Sequence, residues 1–121
     1  VWHAFQDMHG GEIYVKKIKS MKITDIAKTI NPNAKFSIVG IRPGEKLHEL
    51  MIGIDDAPHT YEYKNYYKIL PAINNWNVDA KRINGGKLVS PDFIYSSDNN
   101  TEWMKESELR YWIDHNYLNI I

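Results

Sequence analysis

Ile38-Val39-Gly40-Ile41-Arg42-Pro43-Gly44-Glu45-Lys46-Leu47 reads as the end of a buried strand, a tight turn on Pro43-Gly44 and the start of a short helix. Arg42 and Glu45 stand three residues apart at that turn. Strand-to-helix junctions are where α/β proteins place ligand-binding groups. An arginine there reaches a phosphate with two parallel N–H bonds. A carboxylate beside it accepts from a pair of sugar hydroxyls. A solvated surface turn accounts for the same two charges, since a carboxylate is favoured in the first turn of a helix anyway.

Outward from this turn, the flanking chain reads as its scaffold. Upstream, Lys35 to Ile41 is a strand carrying Phe36, Ile38, Val39 and Ile41. Before it, Ile23, Ile26, Ala27 and Ile30 recur at i, i+3, i+4 and i+7, so residues 21–30 form an amphipathic helix that Asn31-Pro32-Asn33 stops. Glu12 to Val15 is a short strand of β-formers, and Lys16 to Lys19 a basic loop. Strand, helix and strand with short links predict a βαβ unit with parallel strands and a right-handed crossover. Val1 to Met8, with Trp2 and Phe5 at helical spacing, reads as the tail of a helix ended by Gly10-Gly11. The opening Val1-Trp2-His3 lacks a methionine and enters in mid-helix, as a fragment of something longer would.

Downstream, Leu47, Leu50 and Met51 form one face of a short helix ended by Gly53 and Asp55-Asp56. Residues 60–63 and 66–70 flank Lys64-Asn65 as a β-hairpin. Residues 71–91 read as a long surface excursion, 93–97 as a short extended piece, and 98–100 as a turn. Residues 106–115 form the last helix, with Leu109, Trp112 and Ile113 on its buried face. The fold class is therefore α/β: a small mixed sheet on one βαβ unit, with a hairpin and flanking helices, in one domain over residues 1–121.

Composition narrows the functions. Fifteen Lys and Arg balance fifteen Asp and Glu, so the formal net charge is zero. That disfavours nucleic acid or anionic lipid held by general attraction. There is no cysteine, hence no disulfide or thiolate chemistry. No apolar run approaches the ~20 residues of a membrane span, no secretory signal is visible, and the expected location is the cytoplasm. The five histidines lack metal-ligand spacing, so no metal site is expected. Asp55-Asp56 reads as a helix-end pair rather than an acid/base dyad. Tyr61, Tyr63, Tyr66 and Tyr67 suit cross-strand pairing better than base stacking. Asn99-Asn100-Thr101 matches a glycosylation acceptor, which means little without a secretory signal. No nucleophile stands beside a visible base, and no dinucleotide loop is present, so no catalytic residue and no cofactor site is assigned to this chain.

Three blocks carry a resemblance: Gly10-Gly11-Glu12-Ile13-Tyr14-Val15, then residues 19–27, then Ile38 to Glu49 around Arg42-Pro43-Gly44-Glu45. With Tyr95 to Met104 and the Glu108-Leu109 helix, they resemble the C-terminal part of the inverting UDP-N-acetylglucosamine 4,6-dehydratases. These are extended short-chain dehydrogenase/reductases of bacterial pseudaminic acid and surface-polysaccharide synthesis. The resemblance implies an NADP-dependent lyase whose Rossmann domain, absent here, holds the NADP and the catalytic Tyr/Lys pair. It implies that Arg42 meets the pyrophosphate of a UDP-sugar, that Glu45 meets the ribose, and that Met21 lines the same cleft. The leading expectation is a nucleotide-sugar-binding part, catalytically incomplete alone. The alternatives are a self-associating or protein-binding module, or half of a split enzyme completed by a Rossmann-domain partner chain. Trp2 and Phe5 would need cover in a detached part, so a homo-oligomer with these residues at the contact is expected.

Overall fold

The computed structural model describes residues 1–116. In chain order its regular elements are α1 (Trp2–Asp7), β1 (Ile13–Lys16), α2 (Ile23–Ile30), β2 (Leu50–Ile52), β3 (Thr60–Glu62), β4 (Tyr66–Ile69), α3 (Ala80–Ile83), β5 (Lys87–Leu88), β6 (Tyr95–Ser96) and α4 (Glu106–Asn116). Single 3₁₀ stretches occupy Ile54–His59 and Ile73–Val78. No helix among the described residues is long and apolar enough to cross a membrane. The chain divides into two compact units.

The first unit is built from Val1–Ile18 and Leu50–Ser96. Its sheet runs β1-β4-β3-β5, every pair antiparallel, and β2 pairs with β6 in a second, two-stranded sheet. The β3–β4 hairpin forms where the alternation placed it, and Tyr63 N–H donates to the Tyr66 carbonyl at 2.9 Å to close the turn. The core gathers Val15, Ile52, Tyr67 and Tyr95, with Ile69, Val89 and Phe93 packed against them. Tyr67 meets Tyr95 and Phe93 at ring-centroid distances of 5.2 and 5.1 Å. Tyr63 and Tyr66 stack at 4.5 Å across the hairpin tip. Tyr63 and Tyr66 therefore pack on each other across the hairpin, while Tyr67 packs into the core. Residues 71–91 hold more regular structure than a surface excursion: Asp79 caps α3 by accepting from Lys81 N–H, and β5 extends the sheet.

The second unit is built from Lys19–Glu49 and the chain from Ser97 onward. Here α2 packs against α4. Thr29, buried on α2, turns its hydroxyl back to the Asp25 carbonyl at 2.7 Å. At the start of α4 the Glu108 carboxylate accepts from Lys105 N–H and pairs with Lys19 at 2.5 Å. Leu109 and Ile113 are half-buried, whereas Trp112, read as a third core residue, is exposed.

The α/β class, the hairpin and the flanking helices agree with the sequence reading. The βαβ unit does not form. β1 joins the antiparallel sheet, and residues 35–41 carry no strand. Ile38 is 98% and Val39 82% exposed. A run of β-formers becomes a strand only when a neighbour takes its N–H and C=O groups, and no described residue pairs with this one. The short helix over Leu47, Leu50 and Met51 is also corrected. Leu50 and Met51 lie in β2, and Asp56 accepts from Gly53 N–H at 3.2 Å, opening the next 3₁₀ stretch instead of ending a helix. The parallel pairing that is present is the isolated bridge between Ser20 and Trp103.

Candidate functional site

Arg42 and Glu45 are brought together by their own turn. Pro43 presets φ, and Gly44 adopts φ +85°, a conformation costly for any side chain with a Cβ. Glu45 N–H donates to the Arg42 carbonyl at 3.0 Å, closing the turn. In return Arg42 N–H donates to Glu45 Oε2 at 2.8 Å. Glu45 Oε1 lies 3.8 Å from Arg42 Nε, an ion pair too long for a hydrogen bond. The turn thus holds one carboxylate oxygen and leaves the other open to accept. The guanidinium fork has no further partner among the described residues and its side chain is 81% exposed. The pair can offer two N–H donors to an anion and one acceptor to a hydroxyl within a few ångströms.

The second unit carries two concavities near this turn. One, about 1010 Å³, is walled by residues 37–41 and 44–47 with Glu49, and Glu45 is among them. The other, about 530 Å³, is lined by Met21, with Ser20, Thr24, His48, Ser97 and Trp103. Leu47 and Glu49 line both. Glu45 and Met21 therefore border neighbouring hollows of one unit, and Arg42 projects from the turn without lining either.

The Met21 hollow is held by backbone bonds. Ser20 N–H donates to the Glu102 carbonyl at 2.9 Å, and Met104 N–H donates to the Ser20 carbonyl at 2.8 Å. Asn100 fixes the wall: its side-chain amide donates to Ser20 Oγ at 3.1 Å and its backbone carbonyl accepts from the Trp103 indole at 2.9 Å. Glu49 N–H bonds Ser97 Oγ at 3.0 Å, and Ser97 N–H returns to the Glu49 carbonyl at 2.9 Å. Trp103 and Ser97 line this hollow without having been singled out from the sequence. Their signal was the block from Tyr95 to Met104, recognisable as a motif without a role.

The first unit carries the buried charges. Lys68 donates to Asp7 Oδ2 at 2.5 Å and to the Arg82 carbonyl at 2.6 Å, with the rings of Tyr14 and Tyr63 5.5 and 5.1 Å away. Arg82 bonds Glu12 at 2.5 Å and the Gly10 carbonyl at 2.9 Å, and its guanidinium lies 4.1 Å above the Trp76 ring. Burial pushes the Asp7 carboxyl up, but hydrogen bonds from Lys68, Asn84 and Tyr14, with the Lys68 charge, outweigh it and hold it at about 2. Burial and the Asp7 carboxylate push the Tyr14 phenol well above its ordinary range. Burial first, then Asp7 and Tyr61, push Tyr63 up to about 12. Lys68 is matched by Asp7 and Arg82 by Glu12. The cluster clamps α1, β1, β4 and α3 together.

A model of the family described as polysaccharide biosynthesis protein matches residues 1–71. Two curated relatives, UDP-N-acetylglucosamine 4,6-dehydratases (inverting) from two strains of Campylobacter jejuni subsp. jejuni, are 50% and 49% identical over 92% of this chain. A UDP-glucose 4-epimerase from Rickettsia bellii is 29% identical over 88% of it. Among solved structures, Pen from Bacillus thuringiensis superposes with a TM-score of 0.71 over 97% of this chain at 22% identity, a likeness of fold. The chain spans about a third of these proteins: 35% of each dehydratase, 33% of the epimerase and 34% of Pen.

Proposed function

The chain belongs to the polysaccharide biosynthesis protein family, and from that premise we propose that it is the nucleotide-sugar-binding part of a UDP-N-acetylglucosamine 4,6-dehydratase. Arg42 contacts the pyrophosphate through its free fork. The open Glu45 oxygen accepts from the ribose hydroxyls, and Met21 lines the neighbouring hollow. The observation that carries this reading is the Arg42–Glu45 turn. It presents a guanidinium whose N–H groups have no hydrogen-bond partner among the described residues beside a half-occupied carboxylate, and Glu45 is oriented before any ligand arrives. Fifty per cent identity to a dehydratase of that name supports the ligand class.

This chain's share of the reaction is to hold and orient the substrate. In the parent family as we read it, NADP supplies the hydride chemistry from a Rossmann domain. Neither the cofactor nor a catalytic residue is assigned to residues 1–121. A second reading, a self-associating module, is favoured by Trp2 and Phe5, which stand exposed on α1.

The test is a calorimetric or NMR titration of the chain with UDP and UDP-N-acetylglucosamine. Saturable binding in the millimolar range, weakened at least ~10-fold by Arg42→Ala, is the expected result, a loss of about 1.4 kcal/mol or more. Absence of binding at ~10 mM, an affinity weaker than about −3 kcal/mol, would overturn the proposal for this chain.

A further inference from the structure

We propose that Asn84-Gly85 is a deamidation site masked by the docking of α1, and that its conversion weakens that docking. Asn84 and Gly85 are both exposed, just beyond α3. Gly85 places no side chain beside its amide nitrogen, and that N–H has no hydrogen-bond partner among the described residues. The asparagine therefore has a nucleophile next to it in the chain. The Gly85 nitrogen attacks Asn84 Cγ, a C–N bond closes a succinimide ring, and the side-chain nitrogen leaves as ammonia with the proton that Gly85 gives up. Water then adds to either ring carbonyl and opens the ring, to aspartate or to isoaspartate. The sequence consumes water and releases ammonia, with no oxidation or reduction.

The fold holds this reaction back in two ways. Asn84 ends α3 in the left-handed region at φ 45° and ψ 53°, with its N–H donating to the Ala80 carbonyl at 3.0 Å. At that ψ the Gly85 nitrogen stands nearly opposite Asn84 Cβ across the Cα–C bond, so it reaches Cγ only when the turn opens. The side chain is tied as well. Asn84 Nδ2 donates to Asp7 Oδ1 at 2.9 Å, across 77 residues of chain. Asp7 in turn fastens α1 to Lys68 and Tyr14. Release of α1 therefore frees Cγ, and the exposed last turn of a four-residue helix opens at low cost. Conversion then acts back on α1. The amide that donated to Asp7 becomes a carboxylate that only accepts. Its bond is one of those that hold the Asp7 carboxyl low, and a second negative charge in its place opposes Asp7 instead. Isoaspartate also adds a backbone carbon inside the turn that Gly86 N–H closes on the Ile83 carbonyl at 3.1 Å. This inference is independent of the nucleotide-sugar reading.

The test incubates the full chain in mildly alkaline buffer and follows the tryptic fragment 83–87, cut after Arg82 and Lys87, by mass spectrometry. Asn84 should convert at least ~10-fold more slowly in the folded chain than in the same chain unfolded in urea, and folded Asp7→Ala should give back at least ~3-fold of that protection. Asn84→Asp, which mimics the product, should lower the urea midpoint at neutral pH. Made together with Asp7→Ala it should lower the midpoint no further than Asp7→Ala alone, because the opposing carboxylate is gone. Equal conversion in the folded and unfolded chains, an Asn84 that stays unconverted in urea, a folded Asp7→Ala no faster than wild type, or an Asn84→Asp as stable as wild type would each overturn the proposal. If Asp7→Ala fails to fold, the wild-type ratio of folded to unfolded rates and the Asn84→Asp midpoint decide it.

Discussion

Asp7→Asn removes one charge from a deeply buried ion pair. The Lys68 side chain is 1% exposed and Asp7 10%, with 2.5 Å between Nζ and Oδ2. Tyr14 and Asn84 complete the carboxylate at 2.8 and 2.9 Å. The shape-conserving asparagine keeps much of this geometry and deletes the charge. Its effect follows from the carboxyl's shift, from an ordinary 3.8 to about 2. At 1.36 kcal/mol per unit that is roughly 2.5 kcal/mol of stability at neutral pH. An ammonium left buried with only the Arg82 carbonyl and two ring faces brings the cost to about 3–5 kcal/mol. The sign is set by a depressed carboxyl: the contribution is complete above its unfolded value near pH 4 and fades as pH falls toward 2. Urea unfolding from pH 7 down to pH 2 should show a wild-type advantage of that size at neutrality, shrinking below pH 4 as wild-type Asp7 protonates. Glu12 and Glu108, also held low, titrate in both proteins and cancel in the difference. A difference under ~1 kcal/mol at pH 7, or one that does not shrink on acidification, would refute the reasoning. Adding Lys68→Met to Asp7→Asn should recover part of the loss, because it removes the stranded charge.

Arg82→Met strands the Glu12 carboxylate, whose side chain is 1% exposed, and should lower stability by about 3 kcal/mol in thermal or urea unfolding. Arg82→Lys should not restore it, since one ammonium on a differently shaped stem does not reproduce a planar guanidinium bonding Glu12 and the Gly10 carbonyl while stacked on Trp76. Gly11→Ala combines a positive φ of +84° with a Cβ only 2.8 Å from Pro71 Cγ, and should cost about 2 kcal/mol in the same assay. By contrast Gly10→Ala, at φ +112° with open space around it, tests backbone strain without the clash and should cost less.

What could be read from the chain alone was what is local. The apolar spacing of residues 23–30, the alternation flanking Lys64-Asn65 and the helix ended by Gly10-Gly11 are decided within a turn or two, and all three stand in the structure. The run from Phe36 to Ile41 has the composition of a strand, but strandhood depends on a neighbour that composition does not specify. Leu47, Leu50 and Met51 mimic a helical face over five residues, too few to separate a period of 3.6 from a bent approach to β2. The buried pairs were out of reach for another reason. Lys68 lies 61 residues from Asp7, and Glu12 lies 70 from Arg82. A lysine among tyrosines on a hairpin reads as solvent-facing until its strand is known to be the second of four. The Arg42–Glu45 turn was legible because Pro43-Gly44 announces it and both charges belong to it, whereas Trp103 reaches the Met21 hollow through pairing with Ser20.

On the proposed role, the exposure of Arg42 limits how tightly this turn can hold a phosphate. In open water a unit charge 4 Å from a phosphate gains about 1 kcal/mol, rising to about 4 kcal/mol where an effective dielectric near 20 applies. At 81% exposure the guanidinium stands near the first limit. The proposed Glu45 contact would add about 1 kcal/mol, that of an ordinary hydrogen bond. Two such contacts, even with apolar cover from Met21, belong to millimolar rather than micromolar affinity. Tighter binding requires a second wall that excludes water from the turn, and the apolar residues beside it are suited to meet one. Ile38, Val39 and Leu47 stand exposed within a few residues of Arg42. Covering them would gain roughly 25 cal/mol for each Å² removed from water, and would lower the dielectric around the guanidinium at the same time. Packing and electrostatics are therefore coupled at this turn: whatever covers residues 38–47 also strengthens the arginine.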